Sequence, residues 1–142
     1  MFGAAILLSG CHRERTYADG CGAMPSNWIT PRQGRGVLSV LSIIDVSGDG
    51  TIKWNRAKIS ETQFRDGLKP LARMNPLPVT QIKFATDVPC ETVVRLRKAI
   101  STNLDCQYGL CAEGNGRWWI IGDVGPPFIA FDPHPELPQD SE

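Results

Sequence analysis

Cysteine is the residue type of this 142-residue chain whose number and spacing could support chemistry. Five cysteines are present, and four of them, Cys21, Cys90, Cys106 and Cys111, lie beyond the first twenty residues. No Cys-x-x-Cys spacing occurs, and the zinc pattern is also missing, so neither a dithiol redox centre nor a zinc site is indicated. Five cysteines in a small exported domain are typical of disulfides. Buried free thiols in a reducing compartment are the alternative.

Chain geometry selects one of the three ways to pair these four cysteines. If Cys106 and Cys111 lie on one extended strand, they are separated by roughly 16 Å, which exceeds the disulfide limit of about 7 Å between Cα atoms. Cys90 and Cys106 flank a predicted helix, and its rise separates them by more than about 20 Å. The sequence therefore predicts a Cys90–Cys111 bridge together with a Cys21–Cys106 bridge.

A second chemical candidate is the acidic segment that begins at Asp45. Asp45, Ser47, Asp49 and Gly50 have the spacing that opens a calcium-binding loop. The twelfth position of such a loop should be a bidentate Glu, but it is Arg56, and a cation there argues against calcium. Residues 47–50 are therefore predicted to form a hairpin turn, and we expect neither a metal ion nor a cofactor.

Catalytic groups are sparse in this chain. Asp87 ends an apolar segment just before a predicted helix, where α/β proteins often place catalytic residues, but a lone Asp there is more often a turn or helix-start residue. Both histidines, His12 and His134, fall in irregular terminal segments. No convergent nucleophile and base is visible, so we predict a protein that is not an enzyme.

The first elements that would position these residues are a hairpin and a helix. A β-rich apolar segment at 37–46 and an alternating segment at 51–55 predict two paired strands. Ser60 followed by Gln63 predicts a capping box that starts a helix. The helix ends before Pro76 because proline cannot continue it.

A crossover unit follows and forms the centre of the predicted domain. A strand at 79–84 leads to a helix that begins near Pro89, and a second apolar segment at 108–112 follows. The fold class is therefore α+β, a small mixed β-sheet with two helices on one face in the order ββαβαβ. A further C-terminal strand is predicted at 117–121.

Composition limits the partners. The formal net charge is zero, and no basic run is present, so nucleic-acid binding is not expected. No run of eighteen apolar residues occurs, so no membrane-spanning helix is predicted. We expect one domain at 37–124, followed by a proline-rich acidic tail at 125–142.

The N-terminal segment resembles a targeting signal. Leu8-Ser9-Gly10-Cys11 follows a short apolar run and resembles the bacterial lipobox, in which the cysteine is lipidated. We predict a lipoprotein signal at 1–10, lipidation of Cys11 and a flexible tether at 11–36. The alternatives are a buried N-terminal strand with a chance cysteine, or a start codon placed too late.

Three segments together resemble a known family. They are Ser-Gly-Asp-Gly-Thr-Ile-Lys-Trp-Asn at 47–55, the helix start at 59–61, and Ile-Lys-Phe-Ala-Thr-Asp-Val-Pro-Cys-Glu-Thr-Val-Val at 82–94. They are similar to the periplasmic domain of the ExbD/TolR biopolymer-transport family, and the resemblance covers residues 38–112. The transmembrane helix of that family, with its acidic residue for proton flow, has no counterpart in this sequence.

The resemblance implies a non-catalytic extracytoplasmic module. The expected partners are a protein of the cell envelope or a second copy of the chain, with the membrane reached through the lipid anchor. The expected location is the periplasm of a Gram-negative bacterium. Trp118, Trp119 and Phe128 are the candidate partner-binding residues, although core packing is the more common role for such tryptophans. The alternative is a small lipoprotein that binds a ligand or glycan in a pocket formed by these aromatic residues.

Overall fold

The computed structural model describes residues 13–33 and 41–118. Its centre is a five-stranded sheet in the order β3-β2-β1-β4-β5. The elements in chain order are β1 Leu41–Val46, β2 Ile52–Trp54, β3 Ala57–Ile59, α1 Glu61–Leu71, β4 Val79–Phe84, α2 Cys90–Asn103 and β5 Cys111–Glu113.

The sheet is mixed, which confirms the predicted α+β fold. β1 pairs with β2 and β2 with β3 in the antiparallel sense, whereas β4 lies parallel to both β1 and β5. In the described residues the order is βββαβαβ, so a third strand that was not predicted precedes the first helix. Asn55 and Arg56 adopt positive φ angles of 46° and 75°, which is the geometry of a two-residue hairpin turn. The chain therefore reverses there and adds β3.

The core lies between the helices and one side of the sheet. Buried residues alternate along β1, so that Ile44 and Val46 face the core while Ile43 and Asp45 are only half-buried. Phe64 and Leu68 of α1 join the same apolar cluster. Further members come from α2, namely Val93, Leu96, Ala99 and Ile100.

The predicted helix starts are confirmed. The Ser60 hydroxyl oxygen accepts a hydrogen bond from the Gln63 N–H at 3.0 Å, and the Gln63 side-chain oxygen accepts one from the Ser60 N–H at 2.8 Å. This reciprocal pair is the capping box. Cys90 begins α2 directly after Pro89, because proline is tolerated where no helical N–H bond is needed.

Residues 13–33, here named the strap, pack against the domain. The Tyr17 N–H donates to the Val88 carbonyl at 2.8 Å, and the Cys90 N–H donates to the Arg15 carbonyl at 2.9 Å. Trp28 is buried in the core cluster. For these residues the predicted flexible tether is therefore wrong, because an apolar side chain and backbone pairing hold them in place.

The strap also covers one edge of the sheet. Ile29 forms a parallel bridge with Ala112 of β5. Its N–H donates to the Cys111 carbonyl at 3.1 Å, and its carbonyl accepts from the Glu113 N–H at 3.0 Å. At the opposite edge, β3 pairs with β2 alone among the described residues.

Several expectations fall on the remaining segments. Cys11, Trp119, Phe128 and the acidic tail lie outside the described residues, as does the part of the predicted strand after residue 118. Within 13–33 and 41–118, no helix has the length and apolar character that crossing a membrane requires.

Candidate interaction site

The structure joins Cys21 to Cys90 and Cys106 to Cys111. All four cysteines therefore form disulfides, as predicted, but the predicted pairing is wrong. Residues 107–109 form a 3-10 turn instead of extended strand, and this turn brings the Cα atoms of Cys106 and Cys111 to 5.0 Å. Cys21 meets Cys90 because the strap runs past the start of α2.

The Cys106–Cys111 bridge closes a short loop that displays an aromatic side chain. This disulfide loop, residues 106–111, carries Tyr108 near its middle, and Tyr108 is 91% exposed. Its φ of 60° lies in the left-handed region, which is uncommon for a residue other than glycine. Such conformations persist only where the surroundings impose them. The loop therefore holds Tyr108 outward in a fixed backbone geometry.

A surface groove of about 510 Å³ lies beside Tyr108. The described residues of its lining are Ile29 and Gln33 of the strap together with Tyr108 and Gly109 of the disulfide loop. The two segments are in close contact, since a Cβ added at Gly109 would lie 3.1 Å from the Ile29 Cδ1 atom. The Thr30 N–H donates to the Gln33 side-chain oxygen at 2.8 Å and fixes one wall. The groove is thus built where the strap meets the disulfide loop.

The support beneath this surface is apolar. Cys111 and Cys106 are buried in the core cluster. Trp118 is only 2% exposed and forms a second apolar cluster with Val79 and Ala112. The prediction that Trp118 contacts a partner is therefore wrong for this structure, because its ring is already covered by the sheet. It has the core-packing role instead.

A buried ion pair joins the strap to α2 and β5. Arg97 of α2 donates from Nε to Glu113 Oε1 and from Nη2 to Glu113 Oε2, both at 2.7 Å. Arg97 Nη1 also donates to the strap carbonyls of Cys21, Gly22 and Ala23, at 3.0, 3.2 and 3.4 Å. One guanidinium therefore links α2, β5 and the strap.

Tyr17 completes this network. Its hydroxyl donates to Glu113 Oε2 at 3.0 Å, and its ring packs on Phe84 with centroids 5.2 Å apart. Burial, and then the negative charge of Glu113, raise the pKa of Tyr17 to about 12. The hydrogen bond to Glu113 raises the pKa of Arg97 above its ordinary value. The phenol and the guanidinium thus keep their protons in the folded protein at neutral pH.

Asp87 and Asp49, considered above for catalysis and metal binding, both contact the hairpin turn. A Cβ added at Gly48 would overlap the Asp87 carboxyl group, so Asp87 packs directly over the hairpin turn. Asp49 accepts a hydrogen bond from the Thr51 N–H at 2.9 Å, which confirms the predicted turn at 47–50. In the described ranges no three His, Cys, Asp or Glu residues are grouped to hold a metal ion.

The sequence contained signals for the residues that were missed. Tyr108-Gly109 between two closely spaced cysteines is turn chemistry, because glycine tolerates positive φ. Arg97 follows Val93 by four residues and therefore falls on the buried face of α2. A buried arginine requires an acidic partner, and Glu113 was available.

Comparisons with known proteins add no relative: no family model, no curated protein and no solved structure matches this chain.

Proposed function

We propose that this chain is a non-catalytic protein-interaction module of an extracytoplasmic compartment. The main support is the exposure of Tyr108, which is 91% exposed at the turn of a loop closed by the Cys106–Cys111 bridge. Tyrosine is enriched among the residues that dominate binding energy at protein interfaces. An aromatic ring held on a closed loop loses little conformational freedom when a partner covers it.

The extracytoplasmic location is supported by the two disulfides. Such bonds persist in oxidising compartments and are rare in the bacterial cytosol. The lipobox-like sequence before Cys11 and the resemblance to the ExbD/TolR periplasmic domain point in the same direction. The proposed protein is thus a lipid-anchored accessory component of a Gram-negative envelope, with any link to biopolymer transport resting on that resemblance.

The proposed partner is an envelope protein that covers Tyr108 and the groove formed with Ile29 and Gln33. Self-association through β3 is the second form of the proposal, since an unpaired strand edge can add another strand. β3 has only three residues, and Lys58 lies directly opposite Lys53 of β2. A short, cationic edge opposes strand addition, so the Tyr108 surface is the stronger candidate.

The ligand-pocket alternative has less support. A glycan or small-ligand pocket of the expected kind needs several aromatic walls, but Trp118 is buried in the second apolar cluster. Among the described residues that line the groove, Tyr108 is the aromatic one. With Tyr108 as the one aromatic ring that the described residues place beside it, an open groove fits a protein contact better than an enclosed ligand.

Photo-crosslinking tests the proposal. A benzophenone amino acid is placed at Tyr108 in the full-length chain, expressed in a Gram-negative bacterium, and activated in intact cells. A matched control carries the same group at Met74, which is 42% exposed and follows α1 in the chain. We expect discrete protein adducts from position 108 alone, and an adduct at twice the chain mass would identify a second copy. Equal patterns from both positions, or no adduct from 108, would contradict the proposal.

A further inference from the structure

The two disulfides differ in exposure. Cys106 and Cys111 are 8% and 1% exposed, respectively, and lie in the core cluster. Cys21 and Cys90 are both half-buried. Thiol–disulfide exchange requires in-line access of an attacking thiolate to one sulfur, so the Cys21–Cys90 bond is the reachable one.

Cys21 also lies in an open, largely apolar groove. The lining combines Ala23, Pro25 and Val94, the last of which is 53% exposed, with Arg97, Lys98 and Ser101 of α2. The groove volume is about 320 Å³. An exposed apolar surface beside a disulfide offers a docking area to a protein that carries a reactive thiol pair. The groove leads to the Cys21 side of the bond, which makes this sulfur the point of attack.

The other sulfur is placed to leave. Cys90 is the first residue of α2, a helix of 14 residues, and the positive end of the helix dipole stabilises a thiolate there. The Cys90 sulfur lies 3.4 Å from the Thr16 carbonyl oxygen and 3.5 Å from that of Gly20. The disulfide sulfur has no proton to donate, but the protonated thiol could hydrogen-bond to either oxygen. The helix dipole therefore favours the Cys90 thiolate as it leaves, whereas the two carbonyl oxygens disfavour the thiolate and accept a hydrogen bond once Cys90 is protonated.

The bond fixes the part of the strap that lies between two backbone anchors. Tyr17 and Ala18 bond to the loop after β4, and Ile29 bonds to β5. Between them, the carbonyls of residues 21–23 are held by Arg97. Loss of the covalent link leaves this middle segment held by the hydrogen bonds to Arg97 and by Met24, which packs against the core cluster. These non-covalent contacts are weaker than the bond and reversible.

We propose that Cys21–Cys90 is a thiol–disulfide exchange site whose co-substrate is a protein dithiol, and that its reduction loosens strap residues 20–25 while Cys106–Cys111 stays closed. One thiolate of the dithiol attacks Cys21, forming a mixed disulfide and releasing the Cys90 thiolate. The second thiolate of the dithiol then attacks the first sulfur of the same dithiol, which is bound to Cys21 in the mixed disulfide, and releases the Cys21 thiolate. Two electrons and two protons pass to the cysteine pair, and the dithiol becomes a disulfide. This inference does not depend on the interaction role of Tyr108.

Graded reduction of the full-length oxidised chain tests the selectivity. The chain is treated with increasing dithiothreitol, quenched with acid, alkylated and mapped by peptide mass. We expect alkylation of Cys21 and Cys90 at about tenfold lower dithiol than Cys106 and Cys111 require, because access controls the exchange rate. Simultaneous reduction of both bonds, or earlier reduction of Cys106–Cys111, would overturn the proposal.

The docking groove is tested with reduced thioredoxin as a protein dithiol. Val94→Glu places a negative charge in the groove, and Met74→Glu, in the segment after α1, is the matched surface control. We expect Val94→Glu to slow reduction by thioredoxin about fivefold, while reduction by dithiothreitol stays unchanged, because only the protein must cover the groove. Equal thioredoxin rates for both variants would refute docking at this groove.

Hydrogen exchange of the selectively reduced wild-type chain tests the consequence for the strap. We expect peptides covering residues 20–25 to exchange faster by about tenfold, as local opening becomes easier. Peptides from β4 serve as the internal control and should be unchanged. Unaltered exchange in the strap would mean that the bond does not control its attachment.

Discussion

The guanidinium of Arg97 and the carboxylate of Glu113 form a bidentate pair, joined by two hydrogen bonds of 2.7 Å. Their side chains are only 7% and 3% exposed. Paired fork-like contacts of this kind are the strongest arrangement between these two groups. Since the pair also contacts Tyr17 and the strap carbonyls, it connects the helix layer, the last strand and the strap.

Removal of one partner from this pair should be costly. Arg97→Met leaves the Glu113 carboxylate buried beside the Tyr17 hydroxyl without its cation. An uncompensated buried charge of this kind costs about 3–5 kcal/mol. We expect a fall of that size in the free energy of unfolding, measured by urea titration under non-reducing conditions.

Arg95 on the same helix is the matched control. It donates to Glu61 of α1 at 2.7 Å, but its side chain is 41% exposed. Exposed pairs contribute about 0.2–1 kcal/mol, so Arg95→Met should have a small effect. Similar losses for Arg95→Met and Arg97→Met would refute the assignment of Arg97–Glu113 as the main electrostatic link.

The raised pKa of Tyr17 predicts that the free energy of unfolding depends on pH in the alkaline range. Its folded pKa is about 12 against an ordinary value of 10.0, so the folded state binds the phenolic proton more tightly. This contribution is fully present below pH 10.0 and is lost as the pH rises towards about 12. Tyr17→Phe lacks the phenol, so the stability gap between wild type and variant should narrow over that range. A gap that stays constant from pH 10.0 to about 12 would contradict this prediction.

The two disulfides close loops of very different length. The partners are 69 residues apart in Cys21–Cys90 and 5 residues apart in Cys106–Cys111. Loop-closure entropy predicts stabilisation of about 4 kcal/mol for the long loop and about 2 kcal/mol for the short one. Replacing each pair with alanine should therefore cost more for the long loop.

The denaturant slope separates this effect from the cavity that alanine leaves at the buried pair. Loss of the long closure releases more of the unfolded chain, so the urea slope should rise more for the Cys21/Cys90 variant. A cavity in the folded state changes the midpoint without this increase. Identical slopes in the two variants would argue against the entropic origin.

Local patterns explain how much of the fold the sequence could predict. The Ser60–Gln63 capping box, the turn at 47–50 and the helix after Pro89 depend on neighbouring residues and were confirmed. The α+β class follows from their order. Each of these features lies within one turn or one periodic segment, where residue type limits the backbone.

The wrong predictions, of the disulfide pairing and of a flexible tether, both concern features that depend on more than local residue type. The disulfide pairing failed because Tyr108 adopts φ of 60°, a conformation that residue type alone does not predict for tyrosine. The strap was missed because Ile29 pairs with Ala112, far along the chain. Contacts of that kind depend on the assembled sheet edge. The candidate site is formed by these two features together, so its location required the structure.

Tyr108 should tolerate replacement by glycine. A tyrosine in the left-handed region carries about 1–2 kcal/mol of steric cost, while glycine adds about 0.5–1 kcal/mol of backbone entropy on folding. We expect Tyr108→Gly to keep or slightly raise the free energy of unfolding. Under the proposed interaction role, the same variant should lose partner binding, because the exposed ring is removed.

Valine at this position is the informative contrast. A β-branched residue at positive φ is strongly disfavoured, so Tyr108→Val should lower stability where Tyr108→Gly does not. Thermal unfolding under oxidising conditions measures both variants. A stable valine variant would mean that the disulfide loop relaxes out of the conformation described here.

Replacing Gly67 with alanine should lower stability, although the same substitution usually stabilises a helix. Alanine in a helix interior is normally about 1 kcal/mol better than glycine. At Gly67, however, the new Cβ would lie 2.9 Å from Cζ3 of the Trp54 ring. That ring is held by a 2.6 Å hydrogen bond from its Nε1 to the Ser42 hydroxyl and by packing on Phe64. Gly67→Ala should therefore lower stability by about 1–2 kcal/mol, as overpacking does.

A double-mutant cycle with Trp54→Leu separates the two contributions to the Gly67 effect. Leucine removes the ring that the new Cβ would meet, so adding Gly67→Ala to Trp54→Leu should raise stability by about 1 kcal/mol, the helix-propensity gain. Urea titration of the four proteins measures the coupling. The structure indicates that the Trp54 ring packs against α1 at Gly67. If alanine has the same effect in both backgrounds, that contact is contradicted.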